Sequence, residues 1–358
     1  MLAENYCELL RAVGIPPIMV DVLALDSHRR FSGANAIYFW LLRKMPWLWR
    51  WLYQNWCNVP GIDWGRQWIL PRLFPQTHHL LVTSAPALVI STHPVATAIV
   101  DYLKRIGRLE TSLWVAISDW HIQPFWLFPS VDCYLVPTQD QQIDIEQIGV
   151  PKSNILVVGM LLRKDYYAPL DRELARAHLR LPFGARLIVA MGGGSGWGLE
   201  KIIEELIKLN TRLVVITGSA ERQMQIRSYL RHLVDHQDLE VLGFVDPLLY
   251  LVAADLVITK PGGLSTAEVI QLRKPLILVE PMPGHEEENY RILSRIGICG
   301  VTNTDELLHS ARAVLDNQAI PREISLRVET ICSNTTPQLV LESICEALRR
   351  SRAAPQLE

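Results

Sequence analysis

The chain has 358 residues, a net charge of −2 at pH 7 and a hydrophobic content of 49%. This length exceeds what one hydrophobic core usually supports, so we expect two domains of roughly 150 to 180 residues each. The near-neutral charge argues against a general nucleic-acid-binding role, because binding to a phosphate backbone needs a concentrated basic surface. The six cysteines form no C-x-x-C pair, which argues against a zinc knuckle or a disulfide framework.

The N-terminal residues do not resemble a secretory signal. Glu4 and Glu8 stand where a signal peptide would carry a basic start and an apolar core. No stretch reaches about 18 consecutive apolar residues without a charge, so no membrane-spanning helix is predicted. We therefore expect a protein of the cytoplasm with reduced cysteines.

The chain begins with a predicted helix at residues 2–13 and a predicted strand at residues 18–23. An α/β protein with nucleotide chemistry more usually opens with a strand and a glycine-rich turn before its first helix. We therefore expect either that the natural protein has residues before Met1 or that its first domain lacks the opening strand and its loop.

Seven of the eleven tryptophans lie between residues 40 and 68, interleaved with basic residues. On a helix entered at Pro46, such a surface suits the lipid headgroup boundary, where an indole ring buries its body and keeps its N–H in water. The alternatives are a tryptophan-rich helix in an ordinary core and a surface that stacks single-stranded bases. The candidate residues for membrane contact are Arg43, Lys44, Trp47, Trp49, Arg50 and Trp51.

Alternating strands and helices follow, with predicted strands at residues 87–92, 112–117 and 132–137. In a parallel sheet the carboxyl ends of the strands border the ligand crevice. His93, Asp119 and His121 come directly after two of these strands, so they are the candidate catalytic residues.

The second half of the chain repeats the strand and helix pattern after residue 162, with a last amphipathic helix at residues 337–352. The predicted domains are therefore residues 1–162 and 163–336, with residues 337–358 either capping the second domain or crossing back to the first. The predicted second-half elements, in order, are a helix at 171–179, a strand at 186–190, a helix at 199–209, a strand at 212–217, a helix at 221–233, and strands at 239–243 and 275–280.

A glycine-rich turn at residues 192–198 joins a strand to a helix. Its glycines allow the backbone to approach an anion closely, such as a diphosphate held by amides. The sequence fits neither G-x-G-x-x-G nor the Walker loop, so neither fingerprint applies. The alternative is a tight turn without a ligand.

Residues 256–268 predict a buried strand that turns through Pro261, Gly262 and Gly263 into a helix. This geometry offers backbone amides and a first-turn carboxylate, Glu268, to a ligand that carries phosphate. Ser265 and Glu268 also stand in the S-x-x-E relation of a capping box, so Glu268 could serve only the helix start.

The stretch from Pro281 to Asn289 places hydrogen-bonding groups after another strand. It lacks the second histidine of H-E-x-x-H, so a zincin site cannot form, and we expect no metal. Carboxylate and amide groups on a helix start suit sugar hydroxyls, while the alternative is an acidic N-terminus matched to the helix dipole.

Several of these stretches together resemble the glycolipid-forming branch of the GT-B glycosyltransferases. That branch contains the monogalactosyldiacylglycerol synthases and the processive diacylglycerol glucosyltransferases, with the peptidoglycan N-acetylglucosaminyltransferases as more distant relatives. The similarity is strong in the second domain and looser in the first. It rests on residues 243–246, 253–263 with Thr266 and Glu268, 283–289, 89–94, 118–119 and 46–49.

The resemblance implies an α/β protein of the GT-B fold, with two Rossmann-like, doubly wound domains facing a cleft. The family opens with a strand and a Gly-Gly-Gly-His-type loop, and Met1 falls after that point. It also implies a UDP-hexose donor, no catalytic metal or other cofactor, and inversion at the anomeric carbon by a base that deprotonates the acceptor.

The resemblance assigns donor-site roles to residues of the second domain. The glycines would face the diphosphate, two residues after a strand would meet the uracil through their backbone, Glu268 would bind the ribose, and the residues from His285 onward would hold the hexose. The candidate donor-binding residues are Gly192, Gly193, Gly194, Phe244, Val245, Lys260, Gly262, Gly263, Thr266, Glu268, His285, Glu286, Glu287 and Asn289.

The expected activity is therefore transfer of galactose or glucose from a UDP-sugar to a diacylglycerol-type lipid. The protein would be peripheral on the cytoplasmic side of a membrane, with a possible contribution from anionic lipid and none from nucleic acid. The alternatives are a polyprenyl-linked acceptor, or a nucleotide-sugar-binding or scaffold protein that lacks the N-terminal glycine-rich histidine loop and is inactive.

Overall fold

A computed structural model shows two compact units, each built around a parallel sheet. The first unit comprises Met1–Arg163 and Asn334–Glu358, and the second comprises Lys164–Ser333. The predicted domain ends at residues 162 and 336 lie close to these divisions. The residues described are 1–26, 44–55, 61–168, 170–182, 184–192, 198–209, 211–231, 238–279, 281–295, 297, 299–301, 304–316 and 337–353.

The first unit contains a four-stranded parallel sheet with the strand order β1-β2-β3-β4. Its strands are Leu88–Ser91 (β1), Ser112–Ala116 (β2), Cys133–Val136 (β3) and Ile155–Val157 (β4). Its helices are Leu2–Arg11 (α1), Val22–Asp26 (α2), Pro46–Asn55 (α3), Pro75–Ser84 (α4), Pro94–Arg105 (α5), Gln139–Gln147 (α6) and, from the end of the chain, Pro337–Ala353, which is labelled α14 below.

Helix α5 supplies much of the core of the first unit because its apolar face packs against β1 and β2. Ile99, Leu103, Leu113 and Val115 are fully buried in one cluster. The C-terminal helix α14 contacts α1 and belongs to the first unit, which corresponds to one of the two positions that the sequence left open for it.

The predicted strand at residues 18–23 is wrong. Residues 15–21 form no regular secondary structure and lie in no sheet among the described strands, and the helix α2 starts at Val22. The Asp21 carboxylate accepts hydrogen bonds from the amides of Leu23 and Ala24, both at 3.0 Å. This local cap favours a helix over a strand, since an isolated strand has no ladder to satisfy its backbone.

The second unit contains a six-stranded parallel sheet whose first strand along the chain lies near its centre. Its strands are Leu187–Met191 (β5), Arg212–Ile216 (β6), Leu239–Leu242 (β7), Leu256–Thr259 (β8), Leu276–Val279 (β9) and Cys299–Val301 (β10). Its helices are Arg172–His178 (α7), Leu199–Leu206 (α8), Ala220–Tyr229 (α9), Leu248–Ala253 (α10), Gly263–Gln271 (α11), His285–Arg295 (α12) and Thr304–Asp316 (α13).

The strand order β10-β9-β8-β5-β6-β7 defines a topological switch point between β5 and β8. The chain runs from β5 to β7 on one side and from β8 to β10 on the other. In open α/β sheets, ligands bind outside the carboxyl ends of the strands at such a point. The strands β5, β6, β8 and β9 consist mostly of buried apolar residues, chiefly Leu, Ile and Val, as expected for strands covered on both faces.

Within the described residues, no helix is both long enough and apolar enough to cross a lipid bilayer.

Candidate functional site

The candidate donor residues lie along one edge of the second unit, at the carboxyl ends of its strands. Gly192 follows β5, Phe244 and Val245 follow β7, Lys260 follows β8, and His285 begins the helix after β9. Because β5 and β8 are parallel neighbours in the sheet, their carboxyl ends lie side by side at the switch point.

Helix α11 starts with amides that have no acceptor inside the helix. Its first backbone hydrogen bond runs from the Thr266 amide to the Gly262 carbonyl at 3.1 Å, so the amides of residues 263–265 point out of its end. The N-cap residue is Gly262, which has no side chain to accept from them. A Cβ atom added at Gly262 would meet no heavy atom within 4 Å, so the space beside this turn is open.

Helix α8, which follows β5, starts in the same way. Its N-cap residue is Gly198 with a φ of 83°, a left-handed conformation that favours glycine. Helix α9, by contrast, is capped by its own Ser219 hydroxyl, which accepts from the Arg222 amide at 3.1 Å. The two glycine-capped helices therefore flank the switch point. The candidates Gly193 and Gly194 lie outside the described residues.

The capping box that the sequence allowed as an alternative does not form at the start of helix α11. The helix begins at Gly263, so Ser265 lies inside its first turn rather than at the N-cap. Glu268 consequently falls in the second turn and not, as predicted, in the first. Its carboxylate is half-buried there.

Two buried side chains fix the Pro-Gly-Gly turn in place. The Thr266 hydroxyl lies 2.6 Å from the Gly262 carbonyl oxygen and 2.9 Å from that of Gly263. Asn289, on helix α12, donates from Nδ2 to the Pro261 carbonyl at 3.0 Å. Both side chains are fully buried, so their position supports a role in shaping the turn rather than the predicted direct contact with a ligand.

The loop between β9 and α12 is held by the carboxylates that follow it. Glu286 is buried and accepts from the Met282 amide at 2.7 Å, and Glu287 accepts from the Gly284 amide at 3.2 Å. Each of these bonds engages one carboxylate oxygen, which leaves Glu286 and Glu287 further acceptor capacity. His285 is half-buried at the start of the helix.

The end of β7 presents Phe244 outward with 83% of its surface exposed. The backbone before it is fixed, because the Thr217 amide donates to the Leu242 carbonyl at 3.0 Å and the Gly218 amide to the Gly243 carbonyl at 3.2 Å. Thr217 and Gly218, at the carboxyl end of β6, were missed as candidates. A sheet-edge argument could have found them, since Thr217 ends the predicted strand at residues 212–217 and Gly218 follows it.

His93 does not have the geometry of a base. It is the N-cap residue of α5, and its Nδ1 accepts the Val95 amide at 3.2 Å. The neutral ring therefore carries its proton on Nε2, where it is a donor. By surface area the residue is exposed, yet nearby protein atoms desolvate the ring and lower its pKa, against an opposing effect of Asp21.

Asp119 and His121 lie half-buried just beyond the carboxyl end of β2, the neighbour of β1 in the first sheet. The buried Gln141 side chain donates from Nε2 to the Asp119 carbonyl at 2.7 Å, which fixes the backbone there. In the part of the chain that is described, no group of three or more His, Cys, Asp and Glu side chains could hold a metal ion.

The tryptophan-rich stretch forms the predicted helix, α3. Trp47 is 63% exposed and Trp51 is 50% exposed, and the side chains of Lys44 and Arg50 are also exposed. The surface positions of Trp47 and Trp51 show that this helix is not simply packed in a core. Arg43 lies outside the described residues, and Trp49 is described only as part of the helix.

Both halves of the chain match models of glycosyltransferase families. Residues 5–161 match the monogalactosyldiacylglycerol (MGDG) synthase model, and residues 188–318 match the model of the glycosyltransferase family 28 C-terminal domain. The processive diacylglycerol beta-glucosyltransferase of Bacillus licheniformis is 25% identical over 268 residues, covering 73% of this chain and 69% of the relative. The processive diacylglycerol beta-glucosyltransferase of Bacillus subtilis is 26% identical over 265 residues, covering 72% of this chain and 68% of the relative.

Solved structures show the same fold at low sequence identity. Anabaena HepE, determined in complex with UDP and glucose, is 15% identical with a TM-score of 0.54, covering 78% of this chain and 82% of its own. The spinosyn rhamnosyltransferase SpnG, complexed with spinosyn aglycone, is 13% identical with a TM-score of 0.61, covering 96% of each chain. The chain is thus a glycosyltransferase of the GT-B fold, and its two halves are similar to the monogalactosyldiacylglycerol synthases and to the C-terminal domain of glycosyltransferase family 28.

Proposed function

We propose that this glycosyltransferase moves a hexose, glucose or galactose, from a UDP-sugar to a diacylglycerol-type lipid. The relatives in Bacillus, whose names specify diacylglycerol and glucose, support the acceptor and the sugar class. The HepE complexes with UDP and with UDP-glucose support the donor class. The observation that carries the proposal is the pair of glycine-capped helix starts at the switch point of the second unit.

Two helix starts side by side suit a diphosphate. Each helix end carries partial positive charge and outward amides, and together they can bind the two phosphate groups of UDP. The open space beside Gly262 admits such a ligand. We assign the ribose to Glu268, the uracil to the backbone at Phe244 and Val245, and the hexose to the loop that carries His285, Glu286 and Glu287.

In the proposed reaction, the acceptor hydroxyl oxygen forms a bond to the anomeric carbon of the hexose. The bond from that carbon to the β-phosphate oxygen breaks, its electron pair stays with UDP, and the configuration inverts. The amides of α8 and α11 stabilise the charge of the departing UDP, so the scheme uses no metal ion. Asp119 is our candidate base for the acceptor proton, with His121 beside it, because the ring geometry of His93 makes that residue a donor.

Glu268→Ala tests the assignment of the donor site. Removal of a carboxylate that accepts from the ribose hydroxyls should weaken UDP binding by about tenfold, since a hydrogen bond to a charged group contributes about 1.5–3 kcal/mol. Isothermal titration calorimetry with UDP measures this. Glu288→Ala, which removes a half-buried carboxylate paired with Arg291, is the control and should leave the affinity unchanged. Equal UDP affinity of Glu268→Ala and the parent protein would overturn the ribose assignment.

We further propose that helix α3 docks the protein on the cytoplasmic face of a membrane, where its lipid acceptor resides. Tyr53 is buried on this helix, and at 100° per residue Trp47 and Trp51 lie about 120° and 160° away from it. The two exposed tryptophans therefore face away from the protein. Lys44 and Arg50 add positive charge, which favours anionic lipid.

Replacing Trp47 and Trp51 together by Ser should reduce co-sedimentation with vesicles by about tenfold or more, because each exposed indole loses its contact with the bilayer interface. Leu174→Ser, on α7 of the second unit, is the matched control because Leu174 is also highly exposed, at 71%. Unchanged sedimentation of the tryptophan variant would remove α3 from the membrane contact.

A further inference from the structure

A second apolar surface lies beside helix α3 and is formed by residues 62–69. A short helical turn at Ile62–Trp64 continues into a π-helix at Gly65–Ile69. Trp64 is 59% exposed and Ile69 is 49% exposed. Neither side chain belongs to the donor site or to the proposed catalytic residues.

The π-helix places Trp64 and Ile69 on one face. Its closing hydrogen bond joins the Leu70 amide to the Gly65 carbonyl, a spacing of five residues. Residues five apart therefore lie on the same side of this turn. In an α-helix they would be about 140° apart, because five steps of 100° overshoot a full turn by that angle.

Arg66 fixes the π-helix to the loop after β2. Its guanidinium donates to the carbonyl oxygens of Phe125 and Leu127 and lies 4.1 Å from the centre of the Phe128 ring. The side chain of Arg66 is largely buried, so the turn has a fixed orientation. Trp64 and Ile69 are therefore exposed on a turn whose position is fixed by Arg66.

The same loop joins this surface to helix α3. The ring of Tyr53, on the buried side of α3, lies 6.1 Å from the ring of Phe125 at an angle of 68°. Phe125 thus contacts α3 through its ring and Arg66 through its carbonyl oxygen. The exposed tryptophans of α3 and the pair Trp64 and Ile69 accordingly flank one loop.

The charge of this region favours an anionic partner. Residues 40–74 contain five basic residues, Arg43, Lys44, Arg50, Arg66 and Arg72, against a single acid, Asp63. The Asp63 carboxylate is paired with Arg66 at 2.5 Å. Bulky apolar side chains within a basic segment are typical of surfaces that insert into the headgroup region of anionic bilayers.

We propose that Trp64 and Ile69, aligned by the π-helix, form a second membrane-insertion point that acts together with helix α3 on an anionic bilayer. The inference rests on the proposed lipid acceptor and deepens it by naming the surface that meets the bilayer. Two separated insertion points would also hold the first unit in one orientation on the membrane, which a single helix does not.

The test is co-sedimentation of the full-length protein with vesicles of phosphatidylcholine containing phosphatidylglycerol. Trp64→Ser/Ile69→Ser should lower the partition coefficient by about tenfold, and Trp64→Phe/Ile69→Leu should restore it to within about twofold. Leu174→Ser should bind as the parent protein does. Equal binding by Trp64→Ser/Ile69→Ser and the parent, or an equal loss in Leu174→Ser, would overturn the proposal.

A second assay separates this inference from the proposed function. Transfer of labelled glucose from UDP-glucose to a short-chain diacylglycerol in detergent micelles should be the same for the parent and Trp64→Ser/Ile69→Ser. Absence of transfer by the parent would refute the proposed activity, while the vesicle comparison would still decide the insertion surface. A change in oligomeric state on sedimentation analysis, with unchanged vesicle binding, would identify the surface as a protein contact and overturn the inference.

Discussion

Gly262→Asp is expected to abolish UDP binding while leaving the second unit folded and slightly more stable. Gly262 has a φ of −73° and a ψ of 143°, which other residues adopt without strain, and its added Cβ would meet no heavy atom within 4 Å. An Asp at the N-cap accepts from the helix amides and should stabilise the fold by about 0.3 kcal/mol. The same carboxylate accepts hydrogen bonds from the amides that we assign to the diphosphate, and its negative charge repels the diphosphate. UDP affinity should therefore fall about 100-fold or more.

Calorimetric titration with UDP and thermal unfolding measure the two effects independently. Gly262→Ser is the matched control, because its neutral hydroxyl also caps the helix but carries no charge, and its loss of UDP affinity should be smaller. An increase in the stability of Gly262→Asp together with a loss of UDP affinity would identify Gly262 as a position that contacts the ligand. UDP affinity retained in Gly262→Asp would show that the diphosphate binds elsewhere.

Asn289→Ala is expected to weaken both the fold and the donor site. The substitution removes the bond from Nδ2 to the Pro261 carbonyl and leaves that carbonyl without its side-chain donor. The loss of a buried hydrogen bond should lower the free energy of unfolding by about 1–3 kcal/mol. Because the same bond positions the turn before Gly262, UDP affinity should fall about tenfold at temperatures where the variant remains folded.

Urea unfolding and UDP titration at a temperature well below the transition measure these two quantities. Glu288→Ala on the same helix is the control, because the pair of Glu288 with the exposed Arg291 at 2.7 Å lies at the surface and should contribute less than about 1 kcal/mol. A destabilised Asn289→Ala variant that binds UDP normally would restrict Asn289 to a purely structural role.

The strands of both units and most of their helices could be predicted because the sequence patterns that indicate them are local. Runs such as residues 187–191 and 256–259 are apolar without alternation, as strands buried on both faces must be, and glycine-rich turns end them. Their order along the chain also placed His93, Asp119 and Glu286 near strand ends. The predicted strand at residues 18–23 failed because strand formation needs a pairing partner, which a local pattern does not reveal.

The detailed roles of the site residues depend on contacts that sequence spacing does not specify. The S-x-x-E pattern at Ser265 could not locate the start of α11, and the structure places that start at Gly263. Asn289 reaches a carbonyl 28 residues away in sequence. The tautomer of His93 follows from a single backbone bond at the helix start. Each of these roles depends on contacts within the folded chain. The residue types alone suggested that the side chains act directly on the substrate.

The central claim, sugar transfer from UDP-hexose to diacylglycerol, is tested most directly by product formation. The full-length protein is incubated with radiolabelled UDP-glucose or UDP-galactose and diacylglycerol in anionic vesicles, and the lipids are then extracted and separated. We predict label in a glycosyldiacylglycerol that depends on the added diacylglycerol and is lost in Gly262→Asp. Absence of labelled lipid with both donors, from protein that binds UDP in the same preparation, would contradict the proposed activity.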